Sequence, residues 1–223
     1  MDYKYWDVES RKRIEDLLAE GHPTLKDLNQ IETSRGRSPS SDSYVDEDEG
    51  FAVVIKAGSN ISRLGTLVLE GADWIEKSAY DEYVEKATEE GSNLNLIQKG
   101  DVLLASTGDG TLGKACVYDA EHLAVADGHV TIIRVDAQKI DPYYLADYLR
   151  YSFGATQINR LYTGATGLIE LTPEQVDSIV IEMPTCLDDQ KTISSKIRDF
   201  ETRYNSMIAD AQELLVQAQQ VIK

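Results

Sequence analysis

The sequence predicts an α/β protein, a mixed-sheet globular domain over residues 1–187 followed by a long C-terminal helix of coiled-coil type over 188–223. Three observations carry this. Short β-branched runs separated by glycine-rich turns fill residues 51–135, the pattern of paired strands. From Asp141 the apolar spacing changes to that of a helix. From Gln190 the apolar residues Ile193, Ile197, Phe200, Tyr204, Met207, Ala211, Leu214, Ala218 and Val221 alternate steps of four and three without Gly or Pro, which is a/d spacing.

Taken in order, residues 1–20 give an aromatic opening and a short amphipathic helix with Ile14, Leu17 and Leu18 on one side, closed by Gly21 and Pro23. Leu25 to Ile31 is a short apolar element, and Glu32 to Gly50 has the Ser, Gly, Pro and Asp content of a long loop. Phe51–Ile61 and the run from Leu64 to Ile75 read as strands, and Ser78–Asn93 as a short acidic helix or ordered loop. Strands follow at Val102–Ala105, Ala115–Tyr118 and Val130–Val135, with one more candidate between the last two. Asp141-Pro142 caps one helix running through Phe153 and beyond. Thr172-Pro173-Glu174 starts a short helix, and Ser178–Met183 reads as a strand stopped by Pro184. A final helix of 34 residues would extend about 50 Å, longer than a globular core normally uses, so its seam is expected to be covered by another helix.

Between the strands at 102–105 and 115–118 lies a polar corner, Ser106-Thr-Gly-Asp-Gly-Thr-Leu-Gly-Lys114. Its glycines are free to take positive φ. A phosphate loop is not expected, because GxxxxGK[ST] and GxGxxG are both missing and the next element reads as a strand.

With 223 residues, 42% of them hydrophobic, the chain can bury a fair-sized core. No window approaches the roughly 18 apolar residues of a membrane span, so a soluble, cytoplasmic protein is expected. Cys116 and Cys186 lack metal-ligand spacing and are expected to be reduced and buried; no metal site is proposed. His22, His122 and His129 form no recognisable catalytic spacing, and HExxH, GxSxG and NPPY or DPPY tetrapeptides are not found.

The net charge of −17 argues against coating nucleic acid by bulk attraction. The acid is uneven, however. It concentrates in Asp42–Glu49 and Glu70–Glu90, whereas Thr33–Ser38 and Gly154–Gly167 are nearly free of it.

Five features in order then resemble the target-recognition domain of the specificity (S) subunits of type I restriction–modification enzymes. They are the aromatic opening DYKYWD with its helix and LKDL run; KGDVLLASTGDGTLGKACV; ADGHVTIIRV; the stretch from Ile140 to Pro184; and the glutamine-led helix DDQKTISSKI. The resemblance implies a DNA-reading module without chemistry of its own. One domain and one helix resemble a half-S subunit, implying two copies paired through their helices on a site of two-fold symmetry. It also implies DNA adenine methyltransferase (M) subunits as partners, with a restriction (R) subunit as a further possibility. S-adenosylmethionine, Mg2+ and ATP are expected on those partners and no cofactor in this chain.

On that reading the expected DNA contacts are Arg35 and Arg37 in a flexible loop, suited to guanine O6 and N7. Lys56, Ser59 and Asn60 supply a donor cluster, Ser106, Thr107, Thr111 and Lys114 the glycine corner, and Tyr162, Thr163 and Thr166 the YTGATG turn. His129 is expected to be structural. The competing readings are an acidic DNA mimic or regulatory protein, and a segment of a longer S subunit or fused methyltransferase.

Overall fold

The computed structural model describes residues 8–92, 94–165 and 167–220, with side chains as far as Ala218. The opening DYKYWD, Thr166 and Val221 lie outside the described residues. Helices are α1 (Val8–Ala19), α2 (Leu25–Leu28), α3 (Lys77–Thr88), α4 (Pro142–Tyr151), α5 (Phe153–Leu161), α6 (Pro173–Asp177) and α7 (Leu187–Gln220). Strands are β1 (Ser34–Arg35), β2 (Tyr44–Val45), β3 (Ala52–Ile55), β4 (Asp73–Ile75), β5 (Val102–Ala105), β6 (Ala115–Val117), β7 (Ala124–Ala126), β8 (Val130–Ile133), β9 (Thr163–Ala165) and β10 (Leu168–Glu170).

Two four-stranded sheets stack face to face. One has the order β1-β8-β5-β6 and is antiparallel throughout; the other has the order β2-β4-β3-β7, with β3 and β7 parallel. Side chains alternate between faces of a strand, so one strand feeds two cores. On β5, Val102 and Leu104 point to a core shared with α2, α4, α5 and α6, whereas Leu103 and Ala105 enter the space between the sheets. On β3, Val53 and Ile55 enter that same space, and Ala52 and Val54 turn outward to meet Tyr83 of α3. The result is four layers: helices, sheet, sheet, helix. The unbroken apolar runs AVVI and VLLA follow from burial on both faces.

Several elements differ from expectation, each for a physical reason. The predicted strand over 64–75 is reduced to β4, because Gly65 and Gly71 take positive φ and turn the chain. The helix from Asp141 is capped as expected, with the Asp141 carboxylate accepting from the Tyr144 amide at 2.9 Å, but it breaks at Ser152. Gly154 then lets α5 approach Tyr148, whose ring lies 2.7 Å from where a Cβ would stand. Residues 178–183 form no strand beyond a single bridge, Val180 to Thr24. The backbone of Ile179 and Ile181 pairs with that of Leu25 and Pro23, while a side chain satisfies Val180: Gln157 donates to the Val180 carbonyl at 2.8 Å and accepts from its amide at 2.9 Å. Tyr148 adds a second donor to that carbonyl at 3.0 Å. In α1 Leu17 is fully buried while Leu18 is exposed. Cys116 is buried, with burial pushing its thiol up to about 12, but Cys186 is exposed.

Helix α7 is 34 residues long and its first part is fastened to the domain. The buried Gln190 accepts from the Asp141 amide at 2.7 Å. Arg150 donates to Asp147 at 2.5 Å and to Glu201 at 2.7 Å, and Arg198 reaches the second Asp147 oxygen at 3.2 Å. Phe200 within the span of that clamp and Tyr204, Met207, Ala211, Leu214 and Ala218 beyond it are exposed, as is Ile193 before it; Ile197 is half-buried. Ile208, Leu215 and Val216 are also exposed, so the uncovered apolar band is broader than the a/d positions. Among the described residues, no helix is long and apolar enough to cross a membrane.

Candidate nucleic-acid interface

The glycine corner between β5 and β6 is the centre of a surface on which several distant turns converge. Gly108, Gly110 and Gly113 have φ of 91°, 85° and 83°, a region costly for any side chain with a Cβ. These values fold the corner over the sheet end. The Gly108 amide donates to Ile169 at 3.0 Å, and the Leu171 amide donates to Ser106 at 2.8 Å, which docks the β9–β10 hairpin against the corner. From a third side the Ser106 amide donates to the His129 carbonyl at 3.0 Å, and Thr107 Oγ1 lies 2.6 Å from His129 Nδ1. From a fourth, Lys114 Nζ donates to Gly58 and Arg63 to Gly110, at 3.3 and 3.1 Å.

Five amides of the corner are spent on backbone carbonyls. Those of Gly108, Thr111, Leu112, Gly113 and Lys114 donate to Ile169, Gly108, Gly108, Ala105 and Thr111 respectively. Most of the corner therefore serves as a scaffold for side chains.

Arg35 and Arg37 do not sit in a flexible loop. The Thr33–Ser38 segment is strapped to the sheets: β1 pairs with β8, the Gly36 amide donates to Val130, and the Arg37 amide donates to Ala126, both at 2.9 Å. At Gly36 a Cβ would stand 2.3 Å from the Ala126 carbonyl oxygen, so only glycine passes there. Arg35 binds the Glu170 carboxylate and the Leu171 carbonyl, and so holds the hairpin rather than projecting outward. Arg37 is exposed and makes no ion pair among the described residues.

Asn60 and Ser106 are buried, at 1% and 0% exposure, which removes both from any outer contact. Asn60 instead accepts from the Lys56 amide and donates to the Val68 carbonyl, both at 2.8 Å. Lys56 is paired with Asp73 at 2.6 Å, and that hydrogen bond raises its pKa. Ser59 is exposed, and Thr107, Thr111 and Lys114 are half-buried at the corner. Burial, with Arg63 as a nearby like charge, lowers the Lys114 pKa. Tyr162 packs partly against the helical core, and Thr163 is exposed on the hairpin.

Two further residues, Arg63 and Leu168, belong to this surface and were missed. Arg63 lies in the short turn between the two runs read as strands, Phe51–Ile61 and Leu64–Ile75. Leu168 is 84% exposed on the hairpin. His129, expected to be structural, is exposed beside Thr107. The Gly-His pair before β8 was the one visible signal for His129.

Polar turns from distant parts of the chain thus share one outer surface, carried on a two-sheet scaffold with a projecting helix. The chain belongs to the family of the type I restriction modification DNA specificity domain, whose family model matches residues 23–214. The fold is similar to a chain in a structure described as showing complex assembly and conformational transition of the type I R-M system. There the identity is 14% and the TM-score 0.55, over 89% of this chain and 46% of that one. It is also similar to the HsdS subunit from Thermoanaerobacter tengcongensis, at 15% identity and TM-score 0.53, covering 89% of this chain and 44% of that one. The type I restriction-modification S subunit from M. genitalium matches at 12% identity and TM-score 0.53, covering 83% of this chain and 40% of that one. The chain thus spans less than half the length of each. No curated protein matches in sequence.

Proposed function

We propose that this chain is a non-catalytic DNA-sequence specificity element of a type I modification or restriction complex, in which each domain, residues 1–187, reads one half-site. The observation that carries the reading is that the family match runs through both the domain and most of α7. The converging polar turns supply the reading surface, with Arg37, Ser59, Thr107, Thr111, Lys114 and Thr163 as retained contact candidates; Arg63 joins them. Lys56 and Arg35 act on the surface through the groups they hold.

The exposed apolar band of α7 is the surface for a second copy and for methyltransferase subunits. Two-fold pairing would place two reading surfaces on a split palindrome. S-adenosylmethionine, Mg2+ and ATP are assigned to partner subunits, including a restriction subunit where one is present.

The test is co-expression with an adenine methyltransferase subunit, followed by co-purification and mapping of methyl-adenine in genomic DNA. Recovery of the complex with a short split palindromic motif is expected. A chain that neither binds the subunit nor changes the methylation pattern overturns the reading.

A further inference from the structure

A cleft of ≈ 180 Å³ opens where the glycine corner meets two other turns, lined by Gly58, Thr107, Gly108, Thr111, Asp127 and His129. It is smaller than the roughly 300 Å³ at which ordinary small-molecule pockets begin, so it suits the edge of a larger ligand. Its acidic group is out of place on a surface meant for phosphate. Asp127 is 7% exposed, and one of its oxygens accepts from the His129 amide at 2.9 Å. Burial raises its pKa, while His129 and Lys56 act in the opposite sense.

A carboxylate is an acceptor only, and phosphate and base carbonyls or ring nitrogens offer it nothing. The donors that DNA presents in its grooves are exocyclic amines: adenine N6, cytosine N4 and guanine N2. The neighbouring group reinforces this. Thr107 Oγ1, 2.6 Å from His129 Nδ1, pins the exposed imidazole at the cleft mouth. We infer that Asp127 is a specificity-determining residue that accepts a hydrogen bond from the exocyclic amine of one base, with His129 held beside it. The inference rests on the proposed reading of the chain as a DNA-recognition element.

The decisive variant is Asp127→Asn, because asparagine supports the same side-chain-to-backbone turn as aspartate while replacing one acceptor oxygen with a donor. Asp127→Ser, which also supports such a turn, serves as the second variant should the first fail to fold. Each is assembled with the methyltransferase subunit, and binding to the mapped duplex and to a scrambled duplex is measured by fluorescence anisotropy at fixed salt. The expected result is a roughly 5- to 150-fold loss on the mapped duplex, the range a single good base contact supplies, with scrambled binding unchanged. Substituting purine for adenine, pyrimidin-2-one for cytosine or inosine for guanine, one position at a time, identifies the amine. At that position the wild type loses affinity and Asp127→Asn loses no more. Full discrimination retained by both variants overturns the assignment of Asp127 alone. A wild-type complex that cannot tell the two duplexes apart overturns the DNA-reading function itself.

Discussion

Arg35 and Arg37, two residues apart, do different work. Arg35 ties β1 to the carboxylate of Glu170 and the carbonyl of Leu171, whereas Arg37 stands exposed. Arg35→Ala is expected to lower stability by about 1–3 kcal/mol, since it leaves a half-buried acceptor unpaired. Arg37→Ala should leave the unfolding midpoint in place and, in the assembled complex, reduce the slope of log K against log salt by about 1. Urea titration beside a salt series separates the two. Gln157 makes a sharper case, because its amide is bonded to both the N–H and the carbonyl of the buried Val180. Gln157→Ala uncovers a buried amide and should cost about 1–3 kcal/mol by urea denaturation, although nothing at 157 faces the reading surface.

At the scale of elements, the behaviour of α7 changes along its length. Its start is held by Gln190 and by the cluster of Arg150, Asp147, Arg198 and Glu201. The Arg150 and Asp147 side chains are almost wholly buried, and removing one partner of such a cluster leaves an uncompensated charge. Arg150→Ala is therefore expected to destabilise the protein by about 3–5 kcal/mol, read by denaturant unfolding. Past Glu201 the helix leaves Tyr204, Met207 and Leu214 exposed among the described residues. Replacing Met207 and Leu214 together by Glu should abolish self-association in sedimentation velocity while leaving the unfolding of the domain unchanged. An unaltered sedimentation profile would remove the arm from the assembly.

For the whole molecule the governing quantity is the net charge of −17. Part of the acid lies in Asp42–Glu49, at the β2 edge of the second sheet, and on α3, which packs on that sheet's outer face. Few cations are left for phosphate, so the isolated chain should bind duplex DNA weakly and with a shallow salt slope. Partner subunits would deepen that slope by closing around the duplex. Anisotropy titrations at several salt concentrations, with and without the methyltransferase subunit, check this.

Local chemistry was legible in the chain itself. The runs AVVI and VLLA announce strands buried on both faces, Asp141-Pro142 announces a capped helix, and the four-three spacing from Ile193 announces a long helix with an apolar seam. Such patterns are written within a few residues of one another, where period and capping act. What tertiary structure alone decided lies between residues far apart in the chain. Arg35 meets Glu170 across 135 positions, Arg150 meets Glu201 across 51, and Thr107 meets His129 across 22. Local periodicity holds no record of such pairings, because they arise when packed sheets and helices bring separate turns to one place. For that reason Arg35 could be expected at the surface yet be held inside it, and Asp127 could pass unnoticed until the cleft around it closed.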